Sequence, residues 1–234
     1  MLKFVSLTLA LMISTAASAQ TLDEDRIKEL ALQAIMENPQ IIMEAVALLE
    51  AQQREQQALA AATVLDGLGD DPNAPILGNP DGDVVVVEFF DYNCPYCRRA
   101  GEVVEQLIAA DPNVKVVLRE WPILGDASVV AARASLAARN QDQYAAFHWA
   151  LMKAQGRASE ATVMRLARDL GMDVDQLQTD MASDSVNEHI AKSTELARAM
   201  GFTGTPAFVI GDQLAPGLIS VDDMIDLIEN ARAG

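Results

Sequence analysis

The sequence predicts an α/β fold with a block of helices between its strands and a helical arm before them. Three observations indicate this class. An apolar run at residues 84–90 leads into a helix-compatible stretch, a second apolar run follows at residues 114–118, and a third begins at Thr205. Short apolar runs bounded by turn residues are typical of buried strands. Hydrophobic residues make up 50% of the 234-residue chain, which is enough for a sizeable core.

Residues 1–19 are predicted to be an export signal rather than part of the fold. Lys3 gives a short positive segment, residues 4–13 are apolar, and Ala17-Ser18-Ala19 matches a cleavage site. We therefore expect the mature chain to begin near Gln20 and to act in an oxidising compartment, the periplasm. No membrane insertion is expected after signal cleavage, because no later stretch is apolar for long enough to span a bilayer.

Residues 20–66 are predicted to form a helical arm. Thr21 and Glu24 match a helix-capping box, and Asn38-Pro39 ends one helix and begins the next. The apolar stripe along these helices is thin, so the arm cannot bury much surface by itself. Two alternatives follow. The arm self-associates into a homo-oligomer through residues 21–66, which the spacing of its apolar positions favours, or it packs against its own chain.

A turn-rich segment at residues 67–73 marks the start of the second domain, predicted to span residues 67–234. Its predicted elements, in chain order, are a strand at residues 84–90, a helix at 98–110, a strand at 114–118, a helical block at about 126–201, strands at 205–210 and 213–214, and a helix at 221–232. Without the helical block, this order of strands and helices is that of the thioredoxin fold.

The two cysteines of the chain, Cys94 and Cys97, lie between the first strand of this domain and the helix that follows. A helix N-terminus carries partial positive charge and free N–H groups, so a thiolate at Cys94 is stabilised and becomes reactive near neutral pH. Cys97, one turn along, can close a disulfide with it. The layout predicts an enzyme of thiol–disulfide exchange. Zinc binding is a weaker alternative, because only His148 and His189 could complete the ligand set and both lie far along the sequence. A purely structural disulfide is another, although so small a loop restrains the unfolded chain little.

Residues 88–97, which read E-F-F-D-Y-N-C-P-Y-C, resemble the active-site segment of the DsbA family of bacterial periplasmic thioredoxin-fold proteins. The helical block before Gly204-Thr205-Pro206 is also similar to that family. Residues 37–42 and 78–80 resemble its suppressor-of-copper-sensitivity (ScsC) branch. The resemblance covers essentially the whole mature chain. It implies a protein disulfide oxidoreductase or isomerase that acts on cysteine-containing client proteins, needs no cofactor and is served by a membrane or periplasmic redox partner.

The resemblance also implies roles for individual residues. Cys94 is expected to be the exposed attacking sulfur and Cys97 the buried resolving sulfur. Glu88 is expected to be a buried acid near Cys97 that assists proton transfer, unless it occupies an edge or outward-facing strand position. Pro206 is expected to be a cis-proline that faces the disulfide and turns the Thr205 backbone toward an extended client segment, unless it is a trans-proline that begins a strand.

Two departures from the best-known oxidase of the family favour an isomerase or a specialised oxidant. Tyr96 stands where that oxidase has His, so the Pro95-Tyr96 dipeptide adds no positive charge beside the thiolate, and Thr205 stands where it has Val. With a less stabilised thiolate, we expect an intermediate-to-oxidising potential. Pro95 and Tyr96 are expected to bind substrate together with Thr205 and Pro206.

Charged residues beside the cysteines leave open how strongly the Cys94 thiolate is stabilised. Arg98 and Arg99 would stabilise the thiolate and Asp91 would oppose them, unless the arginines form a solvated helix face.

The formal net charge of −17 excludes nucleic acid and anionic membranes as main partners. Such acidity keeps the protein soluble or favours basic or unfolded clients. The ten Met residues are dispersed, so a methionine copper site is not supported, and no metal site is predicted. Copper(I) bound to the reduced Cys94–Cys97 pair in a copper-tolerance protein is the alternative function, because two thiolates suit that ion.

Overall fold

The computed structural model describes residues 24–69 and 71–233, and the chain divides into two compact units between residues 51 and 52. The export signal predicted for residues 1–19 and the capping residue Thr21 lie outside the described residues. Within the described part of the chain, no helix combines the length and the apolar character needed to cross a membrane.

Two helices begin the described chain, α1 (Glu24–Glu37) and α2 (Gln40–Leu68). Asn38 closes α1, because both its backbone and its side-chain N–H groups donate to the carbonyl of Ala34, at 3.1 and 3.2 Å. The break predicted at Asn38-Pro39 is therefore confirmed. All described side chains from residue 25 to residue 53 are exposed, and many of them are apolar.

A mixed sheet with the strand order β1-β3-β2-β4-β5 forms the centre of the second unit. Its strands are β1 (Ile76–Gly78), β2 (Val84–Phe90), β3 (Val114–Glu120), β4 (Ala207–Ile210) and β5 (Gln213–Pro216). β2 runs parallel to β3, and the other neighbouring pairs are antiparallel. The sequence did not predict β1, because its three residues lie between two turn-rich segments and only their pairing with β3 makes them a strand.

The helices that follow β2 are α3 (Pro95–Ala110), α4 (Asp126–Ala137), α5 (Tyr144–Lys153), α6 (Glu160–Asp169), α7 (Val174–Asp180), α8 (Asp184–Ala199) and α9 (Val221–Ala233). Helices α4 to α8 form the helical block between β3 and β4, so the predicted order of elements is confirmed. α3 begins three residues earlier than predicted, because Pro95 lacks a backbone N–H and fits the first turn of a helix.

Side chains of the central strand β2 alternate between two apolar clusters, one on each face of the sheet. Val86 and Phe90 join the cluster that contains Cys97 and other residues of α3. Phe89 joins the opposite cluster, where its ring lies 5.6 Å from that of Phe202. Because strand side chains alternate, Glu88 faces the same side as Val86 and Phe90, which is the side covered by α3.

Candidate active site

Cys94 and Cys97 lie where the chain leaves the sheet and enters α3. Cys94 is the N-cap residue of α3, with φ −81° and ψ 119°, and Cys97 lies in the first turn. Both are free thiols. Cys94 is only 5% exposed and Cys97 is fully buried, so the prediction that Cys94 is an exposed residue is wrong. The segment before β4 contacts Cys94, whose Sγ lies 3.3 Å from the Thr205 carbonyl oxygen.

The two sulfurs differ sharply in acidity. A hydrogen bond from Cys97, together with the Thr205 side chain and the backbone N–H groups of Cys97 and Tyr96, lowers the pKa of Cys94 to about 5 although burial opposes this. Burial, and next the neighbouring Cys94, raise the pKa of Cys97 far above its usual range. Near neutral pH the pair is therefore one thiolate and one thiol. This is the ionisation state from which thiol–disulfide exchange proceeds.

Glu88 is buried in the central strand, with 1% of its surface exposed, between Leu118 of β3 and Phe208 of β4. The alternative of an edge or outward-facing position is therefore wrong. Its Oε1 atom has no hydrogen-bond partner among the described residues. Burial, and next the negative charges of Cys94 and Glu120, raise the pKa of Glu88 to about 8. A carboxyl group with such a pKa can both give and accept a proton near neutral pH.

The peptide bond between Thr205 and Pro206 is cis, as the family resemblance implies, so the trans alternative is wrong. The Thr205 carbonyl contacts Cys94, and the Pro206 carbonyl accepts a hydrogen bond from the Gly217 N–H at 2.9 Å. Between the two cysteines, Tyr96 is 55% exposed, and the Arg99 guanidinium lies 4.6 Å from the centre of its ring.

Asp91 anchors the turn that presents Cys94, a contact that the sequence did not indicate. Its buried carboxylate accepts hydrogen bonds from the backbone N–H groups of Asn93 at 2.8 Å, Ile123 at 2.9 Å and Leu124 at 3.0 Å. The first fixes the turn itself, and the other two hold the loop after β3 beside it. Asp91 was expected only as a charge opposing the two arginines.

Tyr92 and Asn93 tie the same turn to the helical block. The Tyr92 hydroxyl bonds to Ser135 at 2.6 Å and to Nδ1 of His148 at 3.0 Å. The Asn93 side chain donates to Ser128 at 3.1 Å and accepts from the Ala158 N–H at 2.8 Å. The D-Y-N triplet before the first cysteine is the sequence signal that could have identified them, but the partners lie tens of residues away.

Arg98 is a structural link rather than part of a solvated helix face. Its guanidinium donates to the carbonyls of Tyr92 at 3.2 Å, Ala154 at 2.6 Å and Gly156 at 2.6 Å. It therefore joins the start of α3 to the segment after α5. Arg99, in contrast, is exposed and does lie on the predicted solvated face of the helix.

The two histidines are buried and contact polar side chains of the core. His148 bonds to Tyr92, and Nε2 of His189 lies 2.7 Å from Oε2 of Glu120. Among the residues that the structure describes, no group of three or more His, Cys, Asp or Glu side chains could hold a metal ion.

Comparisons with known proteins agree with this geometry. Residues 85–229 match the family of the DSBA-like thioredoxin domain, which is more than half of the chain. The chain belongs to the DSBA-like thioredoxin family. One solved relative is the thiol-disulfide exchange protein α-DsbA2 from Wolbachia pipientis, 28% identical with a TM-score of 0.70, and the match covers 77% of this chain and 97% of that one. In this DSBA-like chain, the matched segment contains both cysteines, Glu88 and the cis-proline.

Two further solved structures are similar to this DSBA-like chain. A thioredoxin-like oxidoreductase from Silicibacter pomeroyi DSS-3 is 57% identical with a TM-score of 0.71, and the match covers 72% of this chain and 98% of that one. A linker-deletion mutant of ScsC from Proteus mirabilis is 28% identical with a TM-score of 0.72, and the match covers 94% of this chain and 99% of that one.

Curated relatives include the thiol:disulfide interchange protein DsbA of Bordetella parapertussis, 28% identical over 144 residues, which are 59% of this chain and 68% of that protein. Curated relatives also include Na(+)/H(+) antiporters of Salinispora arenicola and Salinispora tropica, which are 28% and 26% identical, and the DSBA-like chain spans only 29% and 36% of their lengths.

Proposed function

We propose that this protein is an exported thiol–disulfide oxidoreductase that forms or isomerises disulfides in client proteins. The observation that carries the proposal is the unequal acidity of the two sulfurs, because a thiolate at Cys94 with a neutral thiol at Cys97 is a paired nucleophile and resolving group. Family membership and the strand-to-helix position of the pair support it.

Disulfide transfer to a client proceeds in two exchanges. A client thiolate attacks Sγ of Cys94 in the oxidised protein, the Cys94–Cys97 bond breaks, and its electron pair stays on Cys97. A second client thiolate then attacks the client sulfur of the mixed disulfide, so the client disulfide forms and Cys94 leaves as a thiolate. Because the pKa of Cys94 is about 5, it is a good leaving group in this step.

Proton transfer at the buried sulfur is the proposed role of Glu88. Cys97 is not stable as a thiolate, because burial raises its pKa, so it needs a proton when it leaves and must lose one when it attacks. Glu88 faces the side of the sheet that is covered by α3 and Cys97, and its charge acts on Cys97. With a pKa of about 8, Glu88 is suited to both directions near neutral pH.

Client binding is proposed for Thr205, Pro206, Pro95 and Tyr96. The Thr205 backbone lies against Cys94, so an extended client segment that reaches this sulfur passes beside it. Pro95 and Tyr96, in the first turn of α3 next to Cys94, are exposed. The first turn of α3 is therefore accessible to the residues that neighbour a client cysteine.

Ribonuclease tests the proposal and separates its two forms. The purified protein should restore activity to reduced ribonuclease if it acts as an oxidase, or to scrambled ribonuclease if it acts as an isomerase. Cys94→Ser is the matched control and should be inactive in both assays. Failure of the unmodified protein in both assays would contradict the proposal.

Self-association through residues 21–66 is proposed because the arm exposes apolar side chains that a lone helix pair cannot bury. Ile42 is 52% exposed and Leu49 is 61% exposed. Assembly would favour isomerase action by excluding a partner that reoxidises monomeric oxidases. Light scattering should give the mass of two or three chains, and Ile42→Glu should lower it while Glu44→Gln does not. A monomer at every concentration would contradict the assembly.

We also propose that the protein acts in the periplasm and is served by a membrane or periplasmic redox partner, because the solved relatives include a periplasmic thioredoxin-like protein from Salmonella enterica.

Copper(I) binding by the reduced pair is the alternative function, supported by the two sulfurs lying side by side. It predicts tight binding of Cu(I) to the reduced protein and little ribonuclease activity at equal concentration.

A further inference from the structure

A second buried carboxyl group lies at the end of β3, outside the cysteine site. Glu120 is 1% exposed. Its Oε2 atom lies 2.7 Å from Nε2 of His189 on α8, and its Oε1 atom accepts a 2.5 Å hydrogen bond from the Tyr144 hydroxyl on α5. A buried carboxyl group is costly unless it is paired, and here two helices of the insertion supply the partners.

The groups around Glu120 favour its carboxylate form. Nδ1 of His189 lies 3.0 Å from the Asn73 carbonyl oxygen, which can only accept, so Nδ1 carries a proton. Burial opposes ionisation of Glu120, but the charge of His189 and the hydrogen bonds from His189 and Tyr144 outweigh it and lower the pKa of Glu120.

Glu120 and Glu88 share one face of the sheet. In the parallel pair, Glu88 lies opposite Leu118 and Glu120 lies opposite Phe90, so the two glutamates are one strand and two residues apart. This spacing puts their Cα atoms about 8 Å apart, because neighbouring strands are about 4.8 Å apart and each residue advances about 3.3 Å. Because strand side chains alternate, both glutamates face the side of Val86, Phe90 and Leu118, which is the side covered by α3.

We infer that Glu120 is a positioning residue of the exchange reaction, whose fixed charge keeps Glu88 protonated and therefore able to donate a proton to Cys97. This inference rests on the proposed role of Glu88. When a client thiolate attacks Cys94 and the Cys94–Cys97 bond breaks, the electron pair stays on Cys97. The proton of Glu88 moves to Cys97, and the negative charge moves to Glu88.

Glu120 acts in the redox state where this proton is needed. Two charges oppose ionisation of Glu88 in the reduced protein, the Cys94 thiolate and Glu120. In the oxidised protein Cys94 is in a disulfide and carries no charge, so of these two only Glu120 remains. The oxidised protein is the one that receives the client thiolate and must protonate Cys97.

The other titratable groups that face these two carboxyls are Cys94, Cys97, Tyr92, Tyr144, His148 and His189. Burial lowers the pKa of His148 to about 4, so it is neutral near pH 7. Burial also raises the pKa values of Tyr92 and Tyr144 above their usual range, so neither adds a charge. Among these described groups, the Glu120 carboxylate is therefore the charge that still opposes ionisation of Glu88 in the oxidised protein.

Carbon-13 NMR of glutamate side-chain carboxyl carbons tests the inference on the oxidised protein. The resonance that Glu88→Gln removes identifies Glu88. Glu120→Gln keeps the shape and an acceptor for Tyr144 but removes the charge, so the midpoint of the Glu88 titration should fall by about one pH unit or more. Tyr144→Phe weakens the hold on the carboxylate and should shift the midpoint in the same direction by less. It provides the test if Glu120→Gln does not fold.

A kinetic cycle tests the consequence of this charge. Glu120→Gln should lower the midpoint of the pH profile for oxidation of dithiothreitol by the oxidised protein, and it should have no such effect in a Glu88→Gln background. An unchanged Glu88 titration, or a kinetic shift that persists in that background, would overturn the inference. The NMR titration needs no turnover, so its failure is distinguishable from a failure of the proposed exchange activity.

Discussion

Replacing Cys97 by Ser is expected to turn the protein into a trap that holds its clients in mixed disulfides. Cys94 keeps its place at the start of α3. A serine hydroxyl at position 97 can still donate the hydrogen bond that the Cys97 thiol gives it, and the backbone N–H groups of residues 96 and 97 remain, so Cys94 still attacks client disulfides. Without the resolving sulfur, the mixed disulfide is not released. The adducts should appear on non-reducing gels and disappear on reduction.

Cys94→Ser should instead lower exchange activity by roughly a thousandfold or more, because it removes the nucleophile. It should form no adducts, which makes it the matched control for Cys97→Ser. Adducts through Cys97 in Cys94→Ser would contradict the assigned roles, because the buried Cys97 thiol has a pKa far above its usual range.

Replacing Asp91 by Ala is expected to destabilise the second unit by about 3 kcal/mol, because three backbone N–H groups lose their acceptor at once. The melting temperature should fall by about 6–12 °C. Exchange activity should fall as well, because the turn before Cys94 and the loop at Ile123 and Leu124 lose their common anchor. Calorimetry and the ribonuclease assay measure the two effects.

Asp91→Asn is the control for this anchor. It keeps one side-chain oxygen to accept hydrogen bonds, so its loss of stability should be clearly smaller than that of Asp91→Ala. Equal losses for the two variants would mean that the negative charge, rather than the hydrogen bonds, holds the turn.

The local pattern of the chain predicted most of the elements that carry the site. Residues 84–90 were recognised as a strand from an apolar run, and Asn38-Pro39 as a helix break from the chemistry of proline. Cys94 and Cys97 stood out because they are the only cysteines and follow such a strand. These signals are local, so they need no knowledge of the folded chain.

Long-range contacts could not be predicted in this way. β1 is a strand because of its pairing with β3, and its own three residues carry no strand signal. Arg98 looked like a surface residue, but its guanidinium reaches carbonyls more than fifty residues away. Cys94 was expected to be exposed, and only the folded position of Thr205 shows what covers it.

The pH dependence of the redox equilibrium follows from the acidity of the two sulfurs. The pKa of Cys94 lies below its unfolded value, so its thiolate stabilises the reduced form above about pH 5, and this contribution is lost as the pH falls through about 5. Between about pH 5 and 7, reduction takes up one proton, at Cys97. The potential should therefore fall by about 30 mV per pH unit there and by about 60 mV per unit below pH 5.

The redox potential of the Cys94–Cys97 pair, measured in glutathione buffers at pH 7, tests the exchange function most directly. A stabilised Cys94 thiolate makes the reduced form favourable, so we expect a potential between about −120 and −200 mV, which is the range of oxidants and isomerases. A potential below about −300 mV would mean a disulfide that resists exchange, and the pair would then be structural rather than catalytic.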